Sequence, residues 1–333
     1  MEEVKKTHII GMMPTYNALT QGYPFVEAIY SSLQYCDKLY IVDGSDDGTE
    51  KILSKISQNG SIKVIYKKWP ISRFNTKGGK VIADISNSLL NIVKDNESPE
   101  DYVFYIQANE IAHECAYGFL RSLRGAYPGY IGFYLPYYEM YGRYLFGEQY
   151  RLRVMKIRNS EVADDGWTLR PIGDATVRGL FLMTRRLLYS LLIRRSVNFF
   201  SERDLKYLFP PYPIFHYSRI FPIMTIRKLR MHANLFKKWY FGKAEFLNNL
   251  GVMEEDALTL SSDEFFERLC VIESNEYLKM RFRPRMRKEF WNYKVVKCKF
   301  VSSDYHPAVV KGALDEREYR INERLLMEIV KKD

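Results

Sequence analysis

Over roughly the first 135 residues, short apolar runs alternate with stretches of helical spacing, and this alternation restricts the fold more than any other feature of the chain. His8 to Met13 reads as a strand that stops at Pro14, and Phe25 to Leu33 as a helix. Lys38 to Val42 is a second strand, Thr49 to Ile56 a helix that Asp46 or Asp47 can cap, and Ile62 to Tyr66 a third strand. Apolar side chains at Val81, Ile82, Ile85, Leu89 and Val93 place a helix over Lys80 to Val93, and Tyr102 to Ile106 is a fourth strand. Such apolar strands, separated by helices, are buried on both faces. The expected fold is therefore α/β, a Rossmann-like, mostly parallel central sheet with helices on both faces. Ligands of these sheets bind beyond the carboxyl ends of the strands, so the polar residues there carry the functional question.

Composition narrows the class. With 47% hydrophobic and 27% charged residues in 333, the chain is globular rather than disordered. The net charge of +10 is uneven: between Arg178 and Tyr240 there are 13 Lys and Arg against Glu202 and Asp204, a surplus of 11. The rest is close to neutral, so the basic segment has a local task, on phosphates or on an anionic membrane surface. The expected organisation is a core over 1–177 and a basic, largely helical elaboration over 178–333 that completes the site through the His216 segment. Cys36, Cys115, Cys270 and Cys298 form no CxxC pair and no zinc spacing, which argues against a disulfide scaffold or a zinc module. No apolar run approaches the ~20 residues of a membrane span. The opening Met-Glu-Glu-Val-Lys-Lys lacks the apolar core of a secretory leader, so the expected location is cytoplasmic.

Common nucleotide fingerprints are missing. No GxGxxG follows the first strand, and Lys77-Gly78-Gly79-Lys80 lacks P-loop spacing. Acidic residues instead stand at two strand ends, Asp43 after the second and Asn109-Glu110 after the fourth. Read alone, Asp43-Gly44-Ser45-Asp46-Asp47-Gly48 is also ordinary turn chemistry.

Five segments in order, Pro14-Thr15-Tyr16-Asn17, Ile41 to Thr49, Phe104 to Glu110, Phe215 to Arg219 and Tyr305-His306-Pro307, resemble the family-2 glycosyltransferases of the GT-A fold. The resemblance implies a nucleotide-diphosphate sugar as donor and a hydroxyl of a glycan, lipid-linked or protein acceptor. Pro14, Tyr16 and Asn17 would edge the base and ribose, Asp43 with Ser45 would take a base N–H, and Gln107 and Asn109 would lie along the donor. A divalent cation, manganese or magnesium, would be held by Asn109, Glu110 and His216, with Glu114 and His113 nearby. Neutral amides at Gln107 and Asn109, where the family carries carboxylates, weaken that site. The alternative is metal-independent, with Arg73, Lys77 or Lys80 neutralising the diphosphate and Arg219 as a phosphate partner. A catalytically degenerate member is a third reading.

The catalytic base implied by the resemblance is Asp165, with Asp164 next in order. An inverting transfer needs a carboxylate to take the acceptor proton, though a paired-acid turn before Gly166 is the structural alternative. Trp167, and Tyr138 within the aromatic stretch Tyr130 to Tyr150, are expected on the acceptor side; packing at a sheet edge is the other reading. Gly179 to Phe200 and Ile226 to Tyr240 have the profile of interfacial helices, which would bring the protein to the inner face of the membrane, or of solvated faces packed on the body. The rival function is nucleic-acid binding through the same basic, aromatic segment. It is disfavoured because it leaves Asp43, Glu110, Asp164 and Asp165 without a role.

Overall fold

The computed structural model describes residues 7–123, 125–127, 129–172, 207–208, 210–235, 254–281, 294–316 and 318–331. Strand β1 (Ile9–Thr15) runs through Pro14 rather than stopping at it, and α1 (Phe25–Ser32) follows. Then come β2 (Lys38–Asp43), α2 (Thr49–Ile56) and β3 (Ile62–Tyr66). Helix α3 (Phe74–Asn96) starts about 1.7 turns before the apolar spacing predicts, and leads to β4 (Tyr102–Tyr105). After β5 (Glu110–Ala112) and α4 (Cys115–Ser122), the aromatic stretch forms β6 (Gly132–Tyr141) and β7 (Tyr144–Lys156). Two short strands, β8 (Ser160–Val162) and β9 (Leu169–Pro171), pair with each other.

The remaining described elements are β10 (Tyr207–Leu208), β11 (Ile214–Arg219), α5 (Pro222–Leu235), α6 (Glu254–Thr259), α7 (Ser262–Arg281), β12 (Lys294–Phe300), α8 (Ala308–Lys311) and α9 (Glu323–Lys331). The sheet order is β3-β2-β1-β4-β7-β6-β11-β5, with β10 beside β6 and β12 beside β7. Pairing is parallel along β3-β2-β1-β4 and where β6 meets β10 and β11. It is antiparallel at β4–β7, β6–β7, β5–β11 and β7–β12. The fold is thus α/β, a large and mostly parallel sheet with helices around it. The antiparallel β6–β7 hairpin is its departure from simple βαβ repetition.

Strand β1 shows why the sheet forms. Ile9 and Met13 are buried in one apolar cluster, with Phe25, Ile29 and Leu53. Ile10 and Met12 are buried in another, with Ala83, Ile85 and Leu89 of α3. Alternate side chains therefore feed cores on opposite faces, and each large apolar side chain so buried contributes ~1.5–3 kcal/mol. A third cluster joins Tyr141, Tyr144 and Phe146 at the end of the hairpin to Ile226, Phe265, Phe266 and Leu269. There one disulfide, Cys270–Cys298, links α7 to β12 with Cα atoms 5.8 Å apart; cysteine spacing alone does not reveal it.

The arginine pairs at 185–186 and 194–195, with the rest of 173–206, lie outside the described residues. Where the second basic stretch is described, Ile226 is buried in the third cluster, and Arg227 pairs with Glu318 at 3.1 Å. Among the described residues, no helix is long and apolar enough to cross a membrane.

Candidate active site

Parallel strands end on a common rim, and β1 and β2 finish side by side with Thr15 opposite Asp43. Asp43 is 1% exposed. Its Oδ1 accepts from the Ser45 hydroxyl (2.6 Å) and N–H (3.2 Å), while buried Oδ2 has no partner. Burial raises its pKa from the ordinary 3.8 to about 6, against the lowering effect of the Ser45 bonds. The Ser45 hydroxyl also accepts from the Asn17 N–H at 2.7 Å, so a single side chain locks the two strand-end loops together. Asn17, in the left-handed region at φ 45°, exchanges two 2.9 Å hydrogen bonds with Asp46. Asp47 accepts from the Thr20 and Thr49 N–H groups, holding the loop onto the start of α2. Asp46 and Asp47 are therefore loop-shaping residues, whereas Asp43 keeps an acceptor oxygen. Beside them Tyr16 stacks on Trp69 with centroids 5.3 Å apart. Gly44 makes this possible, since a Cβ there would lie 2.1 Å from the Trp69 ring. Pro14 is an interior residue of β1, opposite Val42.

The second part of the rim begins where β4 ends. The Gln107 side-chain amide and the Tyr105 hydroxyl both donate to the Gly166 carbonyl, at 3.0 and 2.6 Å, anchoring the Asp164–Trp167 loop there. Gly166 has φ 70°, and any Cβ would strike Ile82 at 2.7 Å, so the turn accepts only glycine. Asn109 Nδ2 lies 2.9 Å from His216 Nε2, and the Tyr217 N–H donates to the Asn109 carbonyl. His216 Nδ1 is buried without a partner. Burial holds the His216 pKa well below its ordinary value, reinforced by Lys228, Arg151, Arg153 and Arg219, so the ring is neutral at pH 7.

Glu110 does not face this opening. Its Oε1 accepts from Arg153 at 2.6 Å with both side chains fully buried, and its Oε2 accepts from the Gln107 N–H. His113 and Glu114 lie 3.6 Å apart on the Phe215 face of the sheet, where Glu114 accepts from the Ala308 N–H. A hard divalent cation requires several oxygens with net negative charge. Asn109 and His216 are bonded to each other and Glu110 is neutralised by Arg153, so these residues do not fit the cation site that the resemblance implies. Among the described residues, no group of three His, Cys, Asp or Glu could hold a metal ion.

Asp165 is exposed, and its Oδ1 accepts from the Trp167 N–H at 2.9 Å. The Trp167 ring lies 5.9 Å from the His216 ring and 4.5 Å from the Arg151 guanidinium. Arg151 in turn covers Tyr137 at 3.9 Å, and Tyr137 stacks on His216 at 5.1 Å. Asp165, Trp167, Gln107, Asn109 and His216 are thereby brought together. Asp164 instead turns to Arg170 (3.4 Å) and Lys80 (3.7 Å), and Lys80 also meets Asp84. Arg73 likewise pairs with Asp84. Lys77 lies on α3, and its side chain is outside the described residues. The Arg219 guanidinium sits 4.2 Å over Tyr141. Tyr138 pairs in register with Phe215, packs on it at 5.5 Å, and lies on the sheet face opposite His216, away from Trp167. Burial raises its pKa to about 12.

Sequence reasoning misses Trp69, Arg151, Arg153 and Lys228. The alternation Arg151-Leu152-Arg153-Val154 is the available signal for two of them, because it sets both cations on one face of a strand.

No family model and no curated protein sequence matches the chain. Among solved structures, it is similar to S. aureus TarS 1–349 at 12% identity, over 83% of this chain and 93% of that one, with a TM-score of 0.32. A longer S. aureus TarS structure matches at 13% over 98% of this chain and 55% of that one, with a TM-score of 0.33. A putative glucose-1-phosphate thymidylyltransferase from Bacillus anthracis matches at 12% over 71% and 98%, with a TM-score of 0.33.

Proposed function

We propose that the protein is a family-2 glycosyltransferase that moves a sugar from a nucleotide-diphosphate donor to an acceptor hydroxyl with inversion. The observation that carries this reading is one rim with two complementary ends. At one end the buried Asp43 keeps Oδ2 without a hydrogen-bond partner beside the Tyr16–Trp69 stack, suited to a heterocycle with an N–H donor. At the other, Trp167 stands beside Asp165, suited to a pyranose face and a reacting hydroxyl. Asp165 takes the hydroxyl proton as the acceptor oxygen attacks the anomeric carbon. The bond from that carbon to the diphosphate oxygen breaks, and its electron pair leaves with the diphosphate. The Trp167 N–H orients the base by holding Oδ1. Incubation with a panel of nucleotide sugars, following release of nucleoside diphosphate, tests the reading. Release from one donor class, accelerated by an acceptor, is the expected result. No release from any donor, together with oligonucleotide binding that falls steeply with salt, would overturn it in favour of a nucleic-acid binder.

A further inference from the structure

Helix α1 joins two parallel strands and so runs back against them, which puts its end near the start of β2 at Lys38, on the sheet edge opposite Asp43. At that edge lies a cavity of about 400 Å³, a size that suits a small ligand. Tyr30 and Gln34 line it from the end of α1, and Tyr117 lines it from α4 with Glu114 just before that helix. Arg324 and Glu328 of α9, and Asn322 just before it, form the other wall. The wall mixes donors with acceptors. Asn322 caps α9 through Oδ1, which accepts from the Leu325 N–H at 3.2 Å, and this leaves Nδ2 to donate. Gln34 is the converse: Nε2 donates to the Tyr30 carbonyl at 3.2 Å, and Oε1 remains an acceptor. Arg324 donates to Glu328 through Nε at 3.0 Å and keeps its two terminal nitrogens. Glu114 accepts from the Ala308 N–H through Oε1, and its Oε2 lies 3.6 Å from His113. Tyr117 commits its hydroxyl to Ser31 at 3.1 Å, so the ring is what it offers, beside the half-buried Tyr30. A cation would meet Arg324, and an anion would meet Glu114 and Glu328. A purely apolar ligand would strip water from the amides without replacing its hydrogen bonds. A pyranose suits the whole lining, because each hydroxyl both donates and accepts and the C–H face packs on phenol rings.

We infer that this cavity is a second saccharide-binding site, which holds a sugar unit of a glycan on the sheet edge opposite the Asp43 rim. As a grip on an acceptor glycan it rests on the transferase reading above; as a saccharide site it stands on its own lining.

The full chain is applied to a printed panel of oligosaccharides built from neutral hexoses, N-acetylhexosamines, deoxyhexoses and uronic acids, and the best binder is then titrated by calorimetry. Binding is expected, and Tyr30→Ala, Gln34→Leu and Asn322→Asp should each weaken it by at least ~5-fold. Asn322→Asp keeps the oxygen that caps α9, so the melting temperature should hold while affinity falls with the lost donor. Trp167→Ala, at the other edge, should leave this affinity within about twofold. Nucleoside-diphosphate release from the donor alone should likewise be unchanged in Asn322→Asp. No binding to any oligosaccharide, or wild-type affinity in both Gln34→Leu and Asn322→Asp, overturns the inference. So does a loss confined to Trp167→Ala, which would put the glycan on the rim, or displacement of the glycan by choline or spermidine, which would make the cavity a cation site. The two readings fail separately. Glycan binding that Asn322→Asp weakens, without release from any nucleotide sugar, removes the transferase only, whereas sugar transfer with no glycan held in the cavity removes the second site only.

Discussion

The two halves of the sheet treat polar groups in opposite ways. In the β3-β2-β1-β4 half the strand interiors are apolar, and polar residues collect at the rim in hydrogen-bond networks: Asn17, Ser45 and Asp46 set the loops and Asp43 is left with one buried, unpartnered oxygen. In the half built from β7, β6, β11 and β5, charges lie inside the sheet, with Glu110 on Arg153 and Arg151 between two aromatic rings. A long-range strand return makes the difference. β11 inserts between β6 and β5 and brings His216 onto Asn109. The first half provides a buried carboxyl oxygen beside an aromatic stack. The second provides charge, at the expense of burying it.

The sharpest way to break this contrast is Glu110→Gln. It leaves Arg153 buried and unpaired, and should lower stability by ~3–5 kcal/mol, read as a fall in the denaturant midpoint. A change below ~1 kcal/mol would show that the buried pair is not what holds the second half together. Asp165→Asn should cut turnover by at least ~100-fold with donor affinity nearly unchanged. If turnover survives, the loop is a turn and nothing more. Asp43→Asn should weaken nucleoside-diphosphate binding about 10-fold, and the effect should grow between pH 5 and 7 as the native carboxyl ionises in the wild type. The stability sign is opposite. A native pKa raised to about 6 favours the folded state at low pH, and this contribution is lost as pH rises through 6. Asp43→Asn should therefore lessen the fall in stability between about pH 4 and 6, while buried Glu27, whose pKa burial raises from 4.5 to about 7, keeps its own fall up to about 7. An unchanged pH profile would place the ionisation elsewhere. Smallest is Lys80→Ala, expected within ~0.5 kcal/mol in stability and about twofold in turnover, because its partners Asp84 and Asp164 are exposed ion pairs. A large loss of turnover there would place the diphosphate beside α3.

Legibility followed the same division. Thr49–Ile56 and Ile62–Tyr66 have the bounds that periodicity predicts, and Asp43 stands at the strand end where an acceptor was expected. The start of α3 was not legible, since Gly78 and Gly79 lack helix propensity, yet the helix runs through them, with Gly79 beneath the Asp165 backbone. Nor was the face of Tyr138, which depends on the parallel register between β6 and β11. Trp69 carries no local mark of function. It matters because Gly44 lets its ring approach Tyr16.

By itself the sequence determined the α/β class, the first four strands and the polar residues at their ends, because burial on both faces of a strand is expressed in contiguous residues. Only the tertiary structure decided the electrostatic character of the rim. Whether Glu110 is a free carboxylate or half of a cancelled pair depends on Arg153, 43 residues away. Whether Asn109 faces a metal or a histidine depends on His216, 107 residues away. Charge acts through space, and the distances that set its strength exist only once the chain has folded back on itself.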